Sequence, residues 1–198
     1  LMDGLDLHFP SANWSLLSEE TAKENSNKSN QIDSEWLWIL DPLDGTKDFL
    51  MGSGEYAVHL ALIKGHRPLV GIVVIPELEE LWIGVIGNGT WCENRRGKKK
   101  FPTFSNRKNL ADMILVASRS HRDQKLENLI QKLEVGSQKS VGSIGCKVGT
   151  ILRGDSDIYL SLSGKSAPKD WDMAAPEAVL RAAGGELTHA DLSPLLYN

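Results

Sequence analysis

Short apolar segments separated by polar turns run through the first half of this 198-residue chain. The segments rich in β-branched and aromatic residues predict strands at 36–40, 56–63, 69–75 and 81–86, and residues 16–20 are expected to form a short strand that ends in acids. A further hairpin is predicted at Thr90–Glu93, and its charged tip would be Arg95–Lys100. Strands that follow one another through short turns indicate an antiparallel meander.

The pattern changes after about residue 112, where apolar residues recur at helical spacing. Leu126, Leu129, Ile130 and Leu133 follow the i, i+3, i+4, i+7 pattern of one helix face. Helices are predicted at 121–134, 143–153 and 172–183, with strands at 113–117 and 157–162. Gly184-Gly185 is expected to end the third helix, and Pro176 is expected in its first turn.

The predicted fold class is therefore α/β, or α+β, in two parts. We expect residues 1–112 to form an antiparallel meander half that carries most metal ligands. Residues 113–198 would form a smaller α/β half that supplies the last metal ligand and the substrate pocket. The composition, with 41% hydrophobic and 24% charged residues, is that of an ordinary globular protein.

Charge, hydropathy and cysteine content narrow the function classes. The net charge of -4 argues against binding to polymeric nucleic acid. No run approaches 18 apolar residues, so no membrane span is expected. Only Cys92 and Cys146 are present, which fits a reducing compartment, and we expect a cytoplasmic protein.

The hexapeptide Asp41–Thr46, Asp-Pro-Leu-Asp-Gly-Thr, directly follows the apolar run at 36–40. Carboxylates are hard oxygen ligands suited to Mg²⁺ or Mn²⁺, and the N–H groups of a helix start suit a phosphate. The Thr46 hydroxyl could orient a water molecule, or bond to the backbone at the helix start. Alternatively, Asp41 caps a turn and Asp44 is a helix N-cap. The position after a buried strand favours a metal site.

Further acids and polar groups extend this candidate site. Glu19 and Asp172 also lie at the ends of apolar segments, and a two-metal centre needs a bridging carboxylate with flanking acids. The spacing around Asp172 is equally typical of a plain helix N-cap. Residues 118–122 and 142–147 could form a pocket for a second phosphate or a base, although each alone is typical of a solvated loop. Lys47 and Asp48 are expected at the surface or behind the site.

Three segments together carry a family resemblance: Glu19-Glu20, Asp41–Thr46, and Trp171–Ala175 with Gly184-Gly185. In this order they resemble the inositol monophosphatase superfamily of lithium-sensitive, Mg²⁺-dependent phosphatases. The resemblance implies a layered αβαβα sandwich of the sugar-phosphatase type, from which the N-terminal helices and the last strand would be missing. Within the superfamily, Asp44–Phe49, Ser118–His121 and Gly142–Lys147 resemble most the 3'(2'),5'-bisphosphate nucleotidase branch.

The resemblance also implies roles for individual residues. Two or three Mg²⁺ ions, with Mn²⁺ as a substitute, would be held by Glu19, Asp41, the Leu43 carbonyl, Asp44 and Asp172. Asp41 would bridge the metals. Thr46 and Glu19 would orient the attacking water, and the N–H groups of Gly45 and Thr46 would hold the phosphate. Contacts with the rest of the substrate would come from His121, Ser143, Lys147 and Asp172.

The implied activity is hydrolysis of the 3'-phosphate of adenosine 3',5'-bisphosphate to AMP and phosphate. The implied partners are this small phosphorylated nucleotide and a second copy of the chain in a homodimer. Two alternatives stay open at this point. One is an inositol or sugar monophosphatase, and the other is a catalytically inactive nucleotide- or metal-binding module. A structural domain with acidic turns is the least specific interpretation.

Overall fold

A computed structural model describes residues 4, 7–8, 13–24, 34–162 and 167–198 of the chain. In this part of the chain, two sheets and several helices pack together, which confirms the expected mixed α/β class. None of the described helices has both the length and the apolar character needed to cross a bilayer.

A seven-stranded sheet forms from the first half of the chain, in chain order. Strand β1 (Trp14–Ser18) runs parallel to β2 (Trp36–Asp44). The remaining strands pair antiparallel and confirm the predicted meander: β3 (Ala57–Lys64), β4 (Arg67–Ile75), β5 (Glu80–Val85), β6 (Gly89–Glu93) and β7 (Lys99–Lys100). Strand β2 extends beyond its predicted end at residue 40, with a register shift between Asp41 and Asp44.

The second sheet has three parallel strands, with β8 (Ile114–Ser118) between β9 (Ser137–Val141) and β10 (Ile158–Leu160). Strands β8 and β10 match the predicted segments. Strand β9 is absent from the prediction because four of its five residues are exposed and polar, and only Val141 is buried. Pairing with β8 therefore makes this strand, since its own sequence carries no apolar alternation.

Within the described ranges, five α-helices accompany these sheets: α1 (Glu19–Glu24), α2 (Thr46–Leu50), α3 (Gln124–Lys132), α4 (Ile144–Leu152) and α5 (Asp170–Ala182). The side chains of Asp123 and Ser143 cap α3 and α4 by accepting N–H bonds from Leu126 and Cys146. Short 3-10 turns occur at Pro76–Leu78 and Leu110–Asp112.

Helix α5 begins two residues before its predicted start. The Asp172 Oδ2 atom accepts the Lys169 N–H at 2.6 Å, so this carboxylate closes a turn around the helix start. Pro176 consequently lies inside the helix rather than in its first turn, and that prediction is wrong.

Helix α5 packs directly against the seven-stranded sheet at two glycines. A Cβ atom at Gly71 would lie 2.5 Å from the Ala175 carbonyl oxygen, and one at Gly84 would lie 2.5 Å from the Val179 Cα. This close approach carries the start of α5 towards the end of β2. Helix α5 thus belongs to the predicted second half but packs on the sheet of the first half. The division of the chain into two parts at residue 112 stays a prediction.

Candidate active site

Three of the predicted metal ligands meet in space. One carboxylate oxygen from each of Asp41, Asp44 and Asp172 lies within 4.8 Å of the other two. The first two residues end β2, and the third lies at the start of α5. All three line a cavity of about 260 Å³, which joins the two parts of the chain.

The other two predicted ligands, Glu19 and Leu43, line the same cavity. Glu19 reaches this position because β1 and β2 are parallel neighbours, and Ser18 pairs with Leu40 in their register. The residues that follow this pair, Glu19 at the start of α1 and Asp41 within β2, therefore lie side by side at the same end of the two strands.

Burial and mutual repulsion raise the pKa values of two of these carboxyl groups. Burial, with the negative charges of Asp44, Asp172 and Glu19, raises the pKa of Asp41 to about 8, although the Leu43 N–H bond opposes this. Burial and Asp44 likewise raise the pKa of Asp172 to about 6, against the Lys169 N–H bond. A divalent cation would neutralise this cluster, and the all-oxygen donor set suits Mg²⁺ or Mn²⁺. The residues present therefore fit the metal that the sequence implies.

Asp44 is held by the second part of the chain. Its Oδ2 atom accepts N–H bonds from Ile144 at 2.6 Å and Gly145 at 3.3 Å, both at the start of α4. The N-cap position of α2 is occupied by Gly45, in the left-handed region at φ 87°. The alternative that Asp44 caps α2 is therefore wrong, because this carboxylate serves a different helix.

His59 is a neighbour of Asp44 that the sequence analysis missed. Its side chain is fully buried, and its Nε2 atom lies 3.4 Å from Asp44 Oδ2. Burial lowers the pKa of His59, although the Asp44 charge opposes this. The alternation of β3, which points Ala57, His59 and Ala61 inward, was the available signal.

The turn between Asp41 and α2 combines structural and chemical roles. The Asp41 Oδ1 atom accepts the Leu43 N–H at 2.9 Å, so Asp41 caps a turn while lying in the carboxylate cluster. The Thr46 hydroxyl donates to the Leu43 carbonyl at 3.1 Å, so it does bond to the backbone at the helix start, which was one of its two predicted roles. Gly45 and Thr46 both line the cavity.

The opposite wall of the cavity comes from the second part of the chain. His121 and Lys147 line it, as do Tyr159 and Ser161, which the sequence analysis did not single out. Lys147 is 2% exposed, and its ammonium group lies 5.6 Å from the centre of the Tyr159 ring. Burial lowers the pKa of Lys147.

His121 and Ser143 have different surroundings. The backbone N–H of His121 donates to the Ser118 hydroxyl at 3.1 Å. Burial, with the charges of Lys47 and Lys147, lowers the pKa of the His121 imidazole. Ser143 is 1% exposed, and its hydroxyl accepts the Cys146 N–H at 2.9 Å. Contact of either residue with a substrate stays a prediction.

Comparisons with known proteins agree with this arrangement. Residues 2–198 match the inositol monophosphatase family. A protein of Escherichia coli K12 named 3'(2'),5'-bisphosphate nucleotidase CysQ is 31% identical over 199 residues, which cover the whole of this chain and 74% of the relative. A protein of Buchnera aphidicola with the same name is 33% identical over 169 residues, 83% of this chain and 60% of the relative.

A solved structure shares the fold. The crystal structure of CysQ from Bacteroides thetaiotaomicron, described as a bacterial member of the inositol monophosphatase family, aligns with a TM-score of 0.79 at 29% identity. The alignment covers 99% of this chain and 76% of the solved one. With the match over residues 2–198 and the carboxylate cluster at the expected positions, this chain belongs to the inositol monophosphatase family.

Proposed function

We propose that this chain carries the centre of a Mg²⁺-dependent phosphomonoesterase, which hydrolyses the 3'-phosphate of adenosine 3',5'-bisphosphate to AMP and phosphate. The observation that carries the proposal is the group of Asp41, Asp44 and Asp172, with oxygens within 4.8 Å of one another in an open cavity. The two relatives named 3'(2'),5'-bisphosphate nucleotidase support the choice of substrate.

Each wall of the cavity has a part in this reaction. Mg²⁺ would be held by Glu19, Asp41, Asp44, Asp172 and the Leu43 carbonyl, and it would supply charge neutralisation and water activation. The Thr46 hydroxyl donates its proton to a hydrogen bond with the Leu43 carbonyl, so its oxygen can accept a hydrogen bond from the attacking water and orient it. Glu19 would help to orient that water, and the N–H groups of Gly45 and Thr46 would bind the phosphate oxygens.

The nucleotide would occupy the opposite wall, where His121 and Lys147 line the cavity, and the cation of Lys147 suits a second phosphate. Asp172 would contact the substrate from the carboxylate cluster. Ser143 supports this wall through its cap on α4. A cytoplasmic location and a homodimer stay predictions.

Phosphate release from two substrates tests the proposal. With Mg²⁺ present, we expect release from adenosine 3',5'-bisphosphate with AMP as the accumulating product, and none in excess chelator. Release from inositol 1-phosphate but not from the nucleotide would contradict the proposed substrate and favour the inositol or sugar monophosphatase. Mg²⁺ binding without release from either substrate would favour the inactive binding module.

A further inference from the structure

We propose that Arg119 is a positioning residue of the metal centre, which orients Asp44 through the start of α4. The proposal rests on the metal site of the proposed function, but not on the identity of its substrate. It concerns residues behind the cavity, where both parts of the chain meet in a network of ion pairs.

Arg119 joins three segments of the chain. Its guanidinium Nη1 lies 2.6 Å from Asp48 Oδ1 on α2, and its Nη2 lies 2.7 Å from Glu55 Oε2, just before β3. The same Nη2 donates to the Ser140 carbonyl of β9 at 3.3 Å. Asp48, expected at the surface or behind the site, is 3% exposed. One arginine thus connects the element after the hexapeptide with the second sheet.

Glu55 links Arg119 to the turn that precedes α4. Its carboxylate accepts the Gly142 N–H at 2.6 Å, and its backbone carbonyl accepts the Ser143 N–H at 3.0 Å. Asp48 lies against the same turn, because a Cβ atom at Gly142 would lie 2.4 Å from the Asp48 Cγ. The two residues before α4 are therefore fixed by the acids that Arg119 pairs.

The start of α4 then fixes the metal ligand. Ile144 directly follows this anchored turn, and its N–H donates to Asp44 Oδ2 at 2.6 Å. This bond occupies one carboxylate oxygen and sets the direction of the other. Groups that orient a metal ligand in this way commonly change metal affinity by 10–100-fold when they are removed.

The geometry requires an arginine. A planar guanidinium can hold two carboxylates and a carbonyl at once, whereas an ammonium is a single point charge. Without the guanidinium, Asp48 and Glu55 would face each other as like charges, and the buried Asp48 would lose its ion pair. We expect the anchored turn to move in response, and the Asp44 carboxylate to move with it.

Mn²⁺ binding, measured from the EPR signal of the free ion in the absence of substrate, tests the role of Arg119. We expect Arg119→Gln to weaken Mn²⁺ binding by about tenfold or more, and Arg119→Lys to recover part of the loss. Asp48→Asn keeps the shape of the side chain and removes one ion pair, so a smaller loss in the same direction is expected. Circular dichroism and thermal unfolding report whether each variant is folded.

Arg107 provides the matched control. It is a partly exposed arginine that pairs with Asp157 of the second part of the chain at 2.7 Å and donates to the Gly154 carbonyl, away from the start of α4. We expect Arg107→Gln to lower the melting temperature while Mn²⁺ affinity stays within twofold of the wild type.

Two results would overturn the positioning role. One is wild-type Mn²⁺ affinity in folded Arg119→Gln and Asp48→Asn. The other is an equal loss of affinity in Arg107→Gln, which would mean that general destabilisation is the cause. Substrate hydrolysis plays no part in this comparison, so a wrong substrate and a wrong role for Arg119 give different results.

Discussion

Asp41 accepts a backbone hydrogen bond, but the burial of its carboxylate lowers the stability of the fold. It is 1% exposed, accepts the Leu43 N–H, and lies in a cluster with two other carboxylates. Burial and the neighbouring charges raise its pKa to about 8, so the ionised cluster opposes folding when no cation is bound. A residue that lowers stability in this way is typical of a functional site.

Asp41→Asn separates the structural bond from the charge. Asparagine keeps an oxygen for the Leu43 N–H but removes the cost of burying a carboxyl group whose pKa is raised, so we expect the melting temperature of the metal-free protein to rise at neutral pH. A metal site supplies several kcal/mol to such a reaction, and each 1.36 kcal/mol is tenfold in rate. We therefore expect the rate of phosphate release to fall by about a thousandfold, measured with saturating Mg²⁺.

The exposed Asp112 gives a comparison for the loss of a negative charge at the surface. Asp112→Asn is expected to leave both the melting temperature and the rate of phosphate release close to those of the wild type. Near-normal turnover of Asp41→Asn would contradict the bridging role of Asp41.

Helices and strands with a clear hydrophobic period were predictable from the sequence. Elements that depend on contacts with neighbouring elements were not. The alternation of β3 and the helical spacing of α3 predict their own structures. Strand β9 is polar and exists through pairing with β8. The inclusion of Pro176 in α5 depends on a start that the Asp172 carboxylate sets by closing back on Lys169.

The candidate site also contains residues that the sequence predicts and contacts that it does not. The hexapeptide and the two outer acids are local signals, and the structure brings Asp41, Asp44 and Asp172 together as predicted. The contacts of His59 with Asp44 and of Arg119 with Glu55 join positions far apart in the chain. The His59 contact depends on the register between β2 and β3, and the Arg119 contact depends on how the second sheet meets the first, which no local pattern encodes.

The packing of α5 on β5 links the sheet to the site. A Cβ atom at Gly84 would lie 2.5 Å from the Val179 Cα, and helix backbone cannot yield as a flexible side chain does. We expect Gly84→Ala to lower the free energy of unfolding by about 1–3 kcal/mol, as overpacked cores do. Because α5 also carries Asp172, we expect Mn²⁺ binding to weaken in the same variant, measured by EPR titration.

Ile83→Val is the control for this experiment, because Ile83 lies on the opposite face of the same strand. We expect it to cost less stability and to leave Mn²⁺ affinity unchanged. If Gly84→Ala loses stability but keeps wild-type affinity, then α5 does not transmit a shift of the sheet to Asp172.

At the scale of the whole molecule, the site is assembled from both parts of the chain. Asp41 and Asp44 come from the first sheet, Asp172 comes from α5, and the start of α4 holds Asp44 from the other side. The carboxylates repel one another, while the ion pairs of Arg119 hold the same junction together. A cation in the cavity would remove the repulsion and so stabilise the junction as a unit.

Mg²⁺ should therefore raise the melting temperature of the whole protein. A ligand that binds only the folded state at one hundred times its Kd stabilises by about 2.7 kcal/mol. For a chain of this size, each kcal/mol is worth about 2–4 °C, so we expect a rise of about 5–10 °C in calorimetry. Asp41→Asn should lose most of this rise, although its metal-free form melts higher than the wild type. An equal rise in both proteins would place the stabilising ion outside the carboxylate cluster, because the cluster without Asp41 has lost the charge that the ion neutralises.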